Sequence, residues 1–226
     1  MQYWIFPIRS RATVILAAAF VLMTLTVMSG VPDGMDRAAT AAAQDISGND
    51  MWDLTVQLIT ETGDIWYMMI LGVVLIVIRR TRKVGITLMI FLVVSTILAG
   101  YIKCGVDRDR PEAMYDSIQL PVEISRDTFA LFCEGGFAAS YPSGHALRSA
   151  GIAILLAYAL SARFPRGAYL LFAYPALVAS SRVFVLQHYP TDVIGGTLLG
   201  VLLVGILASQ TKLYNMHSKT QPVGQR

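Results

Sequence analysis

Charge is scarce in this chain. Asp, Glu, Lys and Arg make up 15% of its 226 residues while 55% are hydrophobic, too little polar surface for an ordinary soluble domain. Two cysteines, Cys104 and Cys133, are too few for a disulfide framework and lack metal-ligand spacing. The 18 basic residues are scattered rather than interleaved with aromatics in a patch, and the net charge is only +3. Nucleic-acid binding therefore has no support. Histidine is rarer still, at three positions: His145, His188 and His217. No internal repeat is visible. With a mean hydropathy of +0.57, the chain reads as an integral membrane protein.

What is abundant is apolar sequence in long runs. Residues 12 to 30 follow Arg9 and Arg11 and are long enough to cross a bilayer. A signal peptide is the competing reading, but the run exceeds a typical signal core and the small residues at 38 to 43 lie far beyond its end, so a retained helix is expected. Further spans are expected at roughly 64 to 78, 84 to 102, 146 to 162, 167 to 186 and 190 to 209, giving six helices. Between the first two, Ser47, Asn49 and Asp50 offer N-caps, and Met51, Trp52, Thr55, Val56, Leu58 and Ile59 form a stripe at helical spacing. A short interfacial helix packed on the bundle, without a catalytic role, is the expectation there. The organisation that follows is an N-terminal helix with an extracytoplasmic linker over 1–59, a core over 60–210 and a cytoplasmic tail over 211–226, its last residues a disordered polar stretch.

Charge orients the spans. The N-terminus, the 79-to-83 turn, the 163-to-166 turn and the tail from Thr211 hold eleven Lys or Arg and no Asp or Glu. The alternate segments, 31 to 64 and 103 to 145, hold five Lys or Arg against fourteen Asp or Glu. By the positive-inside rule both chain ends are cytoplasmic and the alternate segments lie outside.

Three polar clusters border the spans at that outer face, where polar residues are costly and hence informative. One runs from Lys103 to Arg110-Pro111, a second is Tyr141-Pro142-Ser143-Gly144-His145, and the third is Ser181-Arg182 through His188 to Asp192. Lys103, Arg110 and Arg182 supply cations. Ser143 and Gly144 supply a hydroxyl and backbone donors at a helix start, where free N–H groups favour a phosphate. His188 and Asp192 are four apart, and with a helix beginning near Pro190 they can share a face, the carboxylate accepting from one imidazole nitrogen while the other is left as nucleophile or base. Each cluster also has a structural reading. His188 with Asp192 can be a satisfied pair at a helix start, Lys103 and Arg182 can snorkel from span ends, and Pro142-Ser143-Gly144 can be a turn and cap. Arg148, a turn beyond His145, either contacts a lipid head group or snorkels. His217, in the tail, is read as incidental.

The ordered set resembles the type 2 phosphatidic acid phosphatase superfamily, whose pattern is Lys-x6-Arg-Pro, Pro-Ser-Gly-His, then Ser-Arg-x5-His-x3-Asp. Every fixed position is present: Lys103, Arg110 and Pro111; Pro142, Ser143, Gly144 and His145; Ser181, Arg182, His188 and Asp192. The resemblance covers residues 60 to 209. It implies an all-α, six-helix integral membrane bundle, type 2 phosphatidic acid phosphatase/haloperoxidase-like, in the plasma (inner) membrane with an extracytoplasmic site. It also implies a lipid phosphatase that needs no metal or other cofactor. His188, oriented by Asp192, would form a phosphohistidine, with Lys103, Arg110, Arg182, Ser143 and Gly144 binding the phosphate oxygens and His145 as general acid. Candidate substrates are undecaprenyl diphosphate, phosphatidylglycerol phosphate, phosphatidic acid or a lipid A phosphate. No obligate protein partner is evident. A lipid phosphotransferase with the same intermediate, and a non-catalytic scaffold or transporter that keeps the pocket, are the alternatives. Cys104 and Cys133, both outside, can form a bridge tethering the 103-to-145 loop. Head-group preference is expected to reside in residues 112 to 140 and 31 to 63.

Overall fold

The computed structural model describes residues 5–46, 48–111, 139–161 and 163–213. Among them all regular structure is helical. In chain order the helices are α1 (Arg11–Met28), α2 (Asp33–Ile46), α3 (Asp50–Glu61), α4 (Ile65–Val77), α5 (Arg82–Val106) and α6 (Gly144–Ser161). A 3-10 turn (Gly167–Phe172) then leads into α7 (Ala173–Phe184), and α8 (Pro190–Gln210) closes the bundle.

The boundaries follow from local chemistry. Ser10 Oγ accepts from the Thr13 amide at 3.1 Å and starts α1, and Asn49 and Asp64 cap α3 and α4 in the same way, at 3.2 and 2.9 Å. Ser47, another candidate cap, lies outside the described residues, as do Cys133, His217 and the tail from 214. Helix α5 ends where Asp107 turns left-handed at φ 47°, a conformation a short polar side chain tolerates. Pro190 opens α8, where it needs no N–H.

Among the described residues, five spans are long and apolar enough to cross a membrane, the 3-10 turn with α7 counting as one. Helix α4 has 13 residues, about 20 Å of helix, too short for a core of about 30 Å. Together with α3, bent against it by 52°, it makes the sixth candidate span. Helix α2 departs from the expected linker. Its alanines at 38, 39 and 41 to 43 carry the lowest helix cost, and Asp33 and Asp36 sit in the first turn, where the helix dipole favours acids.

Large apolar side chains stay exposed along the outside, among them Val14, Ile15 and Leu22 of α1, Val73 and Val77 of α4 and Val93 of α5. This is the surface that lipid covers. Inside, glycine sets how closely the helices approach. A Cβ on Gly196 would stand 2.3 Å from the Ser143 carbonyl oxygen, and one on Gly200 would stand 2.3 Å from that of Leu147. The Gly196-x3-Gly200 stripe thus lets α8 lie against the backbone of α6, the usual way small residues bring membrane helices together. Phe91 of α5 fills the space over Gly151 in the same manner.

Candidate active site

All three clusters meet at one end of the bundle. Lys103, in the last turn of α5 and 7% exposed, donates from Nζ to the carbonyl of Ala139 just ahead of the second cluster. The Ser143 amide donates to the carbonyl of Asp192 at 3.0 Å, joining the second cluster to the third. Ser143 Oγ is buried and stands 3.5 Å from the Ala146 amide, a long capping contact, so its structural and ligand-binding readings coexist. Arg110 Nη1 donates to Gln187 Oε1 at 2.5 Å, beside His188.

The turn that delivers His188 is tightly determined. Both the Gln187 and the His188 amides donate to the Arg182 carbonyl, at 3.1 and 3.2 Å, and Leu186 adopts φ 55° to make this possible. A left-handed leucine costs about 1–2 kcal/mol, and Leu186, 1% exposed, is held there by packing. Arg182 and His188 are themselves buried. Among the described residues, Arg182 Nε and His188 Nδ1 are buried nitrogens with no hydrogen-bond partner, while Arg182 Nη1 donates to Thr60 Oγ1 at 3.2 Å. Burial, with Arg182, Lys103 and Arg110 as neighbouring cations, holds the His188 imidazole well below its ordinary value of 6.5.

Asp192 does not sit as its spacing suggests. Its Oδ2 is 3.8 Å from His188 Nδ1, outside hydrogen-bond distance. That oxygen accepts from the Tyr189 amide at 2.8 Å, and Oδ1 accepts from Arg108 Nη1 at 2.8 Å. The i, i+4 relation puts the two side chains together, but the helix start and Arg108 have prior claim on the carboxylate.

Arg108 is the residue that sequence reasoning missed. Besides Asp192, it bridges Asp33 and Asp36 of α2 at 2.8 Å each and lies 4.4 Å over the Tyr189 ring. Asp36, fully buried, also accepts from the Thr191 amide and hydroxyl. Burial works against the charge on Arg108, but Asp36 and Asp192 outweigh it and raise the guanidinium above its ordinary value. The only sequence signal is an Asp-x2-Asp pair ahead of an Ala-rich stretch. A cavity of about 300 Å³ lies beside Arg108, between Val27, Asp33, Arg37 and Tyr189.

The break between α3 and α4 forms another wall. A Cβ on Gly63 would meet His145 Cδ2 at 2.9 Å, and the Gly63 carbonyl accepts from Arg148 Nε at 3.3 Å. Thr60, at the end of the helix expected only to pack on the bundle, accepts from Arg182, so the stretch from Thr60 to Gly63 borders two cluster side chains, Arg182 and His145, as well as Arg148. Arg148 Nη2 stands 3.4 Å from His145 Nδ1. Cys104 is disulfide-bonded.

Over 128 residues the chain is 37% identical to an undecaprenyl-diphosphatase of Sulfolobus acidocaldarius, covering 56% of this chain and 54% of that one. Over 117 residues it is 32% identical to a lipid A 1-phosphatase of Rhizobium johnstonii, covering 52% and 43%. The chain thus spans about half the length of these curated relatives. The crystal structure of a transmembrane PAP2 type phosphatidylglycerolphosphate phosphatase from Bacillus subtilis has the same fold, with a TM-score of 0.69 over 95% of this chain and all of that one, at 22% identity. The family model of the PAP2 superfamily matches residues 80–215, which hold all three clusters, and the chain belongs to that superfamily.

Proposed function

We propose that this protein hydrolyses the phosphate or diphosphate of a membrane lipid through a phosphohistidine on His188, without a metal. The observation that carries the reading is the buried Arg182 Nε, without a hydrogen-bond partner among the described residues, in a site where His188, Lys103 and Arg110 also converge. A buried cationic donor left unmatched is the counterpart of an anionic ligand. The substrate class is of the undecaprenyl diphosphate, phosphatidylglycerol phosphate, phosphatidic acid or lipid A type, in keeping with the names of the relatives.

A neutral imidazole is the nucleophile. His188 attacks phosphorus in line, Asp192 offsets the charge that builds on the ring, and Lys103, Arg110, Arg182, Ser143 and the Gly144 amide hold the equatorial oxygens. His145 serves the leaving group and water then releases phosphate. The acidic balance of segments 31 to 64 and 103 to 145 supports an extracytoplasmic site with both termini inside.

The test is inorganic phosphate release by purified protein from a panel of lipid monophosphates and diphosphates. Turnover of at least one supports the reading. Transfer of labelled phosphate to a second lipid, in place of release, would make the protein a phosphotransferase.

The depressed basicity of His188 gives a pH prediction. Protonation removes the attacking lone pair, so kcat/KM falls as pH drops through the folded-state value, which lies below 6.5. With the lipid's own phosphate ionisation divided out, kcat/KM should stay flat down through pH 6.5 and decline only beneath it. An acid limb centred at or above 6.5 would contradict this.

A further inference from the structure

Arg148 neither reaches outward to a head group nor snorkels. Its side chain leans back over its own helix start, as helical side chains do. A Cβ on Gly144 would meet Arg148 Nη1 at 3.1 Å, Nη2 stands 3.4 Å from His145 Nδ1, and Nε donates to the Gly63 carbonyl at 3.3 Å. The guanidinium is thus anchored against the α3–α4 break and pointed at one nitrogen of the His145 ring.

A guanidinium has five donors and no acceptor. The nitrogen it faces must therefore present a lone pair, which leaves the ring proton on Nε2. A ring carrying a second proton would set N–H against N–H at Nδ1. The cations acting most strongly on the ring are Arg182, Arg148 and Arg110, so the surroundings add positive charge from α6, α7 and the loop after α5.

We infer that Arg148 is a positioning residue that fixes His145 as the Nε2–H tautomer, and that this tunes the site to lipid diphosphates over lipid monophosphates. The inference rests on the lipid phosphatase reading. In a monophosphate the bond to phosphorus breaks toward a lipid alkoxide, which needs a whole proton. A ring with one proton could supply it only by becoming an anion. In a diphosphate, the His188 nitrogen bonds to the terminal phosphorus and the bridging P–O bond breaks. The electron pair stays on a lipid phosphate, stable as an anion and needing only a hydrogen bond from Nε2–H. Water then attacks the phosphohistidine, the P–N electron pair returns to His188, and both protons of the water leave with inorganic phosphate.

The experiment compares one isoprenoid or acyl chain carrying either a diphosphate or a monophosphate, in detergent micelles, with the full-length protein. Wild type should show kcat/KM at least about 10²-fold higher on the diphosphate. Arg148→Gln offers Nδ1 an acceptor and should shrink that ratio by about tenfold or more, whereas Arg148→Lys, again a pure donor, should restore most of it. Ring nitrogen spectra of labelled histidine, assigned by loss of signal in His145→Asn, read the tautomer without reference to activity and without any Arg148 variant having to fold. They should show His145 protonated on Nε2 alone at neutral pH. Comparable rates on both lipids, an unchanged ratio in a folded Arg148→Gln, or a proton on Nδ1 would each overturn the inference. Failure of wild type on every lipid phosphate would instead remove the reading beneath it, while the spectra still decide the tautomer.

Discussion

Replacing His188 with alanine is expected to abolish phosphate release, by at least about 10³-fold on any substrate the wild type turns over. No other imidazole in the three clusters has the required surroundings. His188 is 3% exposed, is delivered by a backbone turn closed on the Arg182 carbonyl, and faces Asp192 across 3.8 Å. His145 is pressed between Gly63 and Arg148, and the role proposed for it is toward the leaving group. The ring bonds to the Ser140 backbone, so alanine removes one hydrogen bond and leaves a small cavity, and thermal unfolding measures that cost separately from the loss of activity. A substrate labelled at the transferred phosphate should leave acid-labile, alkali-stable label on wild type and none on His188→Ala. Residual turnover above about a tenth of wild type would exclude His188 as the nucleophile.

Arg108→Leu should be the most destabilising single change at this end of the bundle, by about 3–5 kcal/mol. The side chain is 11% exposed and is the cation shared by Asp36 and Asp192, both fully buried, and by Asp33. Removing it leaves two buried carboxylates uncompensated in a low-dielectric surround, which costs far more than the pairs contributed. The same substitution frees Asp192 Oδ1, so activity should fall along with stability. Combining Arg108→Leu with Asp36→Asn removes a charge together with its partner, and the double variant should recover part of the loss. Thermal unfolding of the four proteins in one detergent checks this. A single variant within about 1 kcal/mol of wild type would show that the network contributes little.

Much of the site is legible in the sequence because its parts are chemically costly where they stand. In a chain this apolar, Lys103, Arg182, His188 and Asp192 at span borders call for an explanation, and the asymmetry of charge between alternate loops is enough to group them at one face. The spans are legible for the same reason, since a run of apolar residues has few alternatives. Arg108 is not, because it sits among other charged residues in the first cluster and nothing local marks it as the one that turns inward. Helix α2 is hidden because its Ala-rich stretch reads as a small-residue linker and the residues it buries are Asp36 and Thr40 rather than large apolar side chains. The reach of α3 to Arg182 is equally hidden, since Thr60 is an ordinary polar residue until α3 packs on α7, with Trp52 edge-on to Phe184 at 5.9 Å.

The sequence by itself determined the membrane setting, most of the spans and the candidate residues of the site. It did so because burial of charge and helix length are properties of short segments. Only the tertiary structure decided which partner each of those residues takes. Asp192 has His188 four residues away and yet is held by Arg108 and the Tyr189 amide, and Arg148 is long enough to seek lipid and yet faces His145. Such choices depend on which donors arrive from other helices. The glycine contacts between α6 and α8 and the anchoring of Arg108 by α2 bring them there across more than fifty residues of chain.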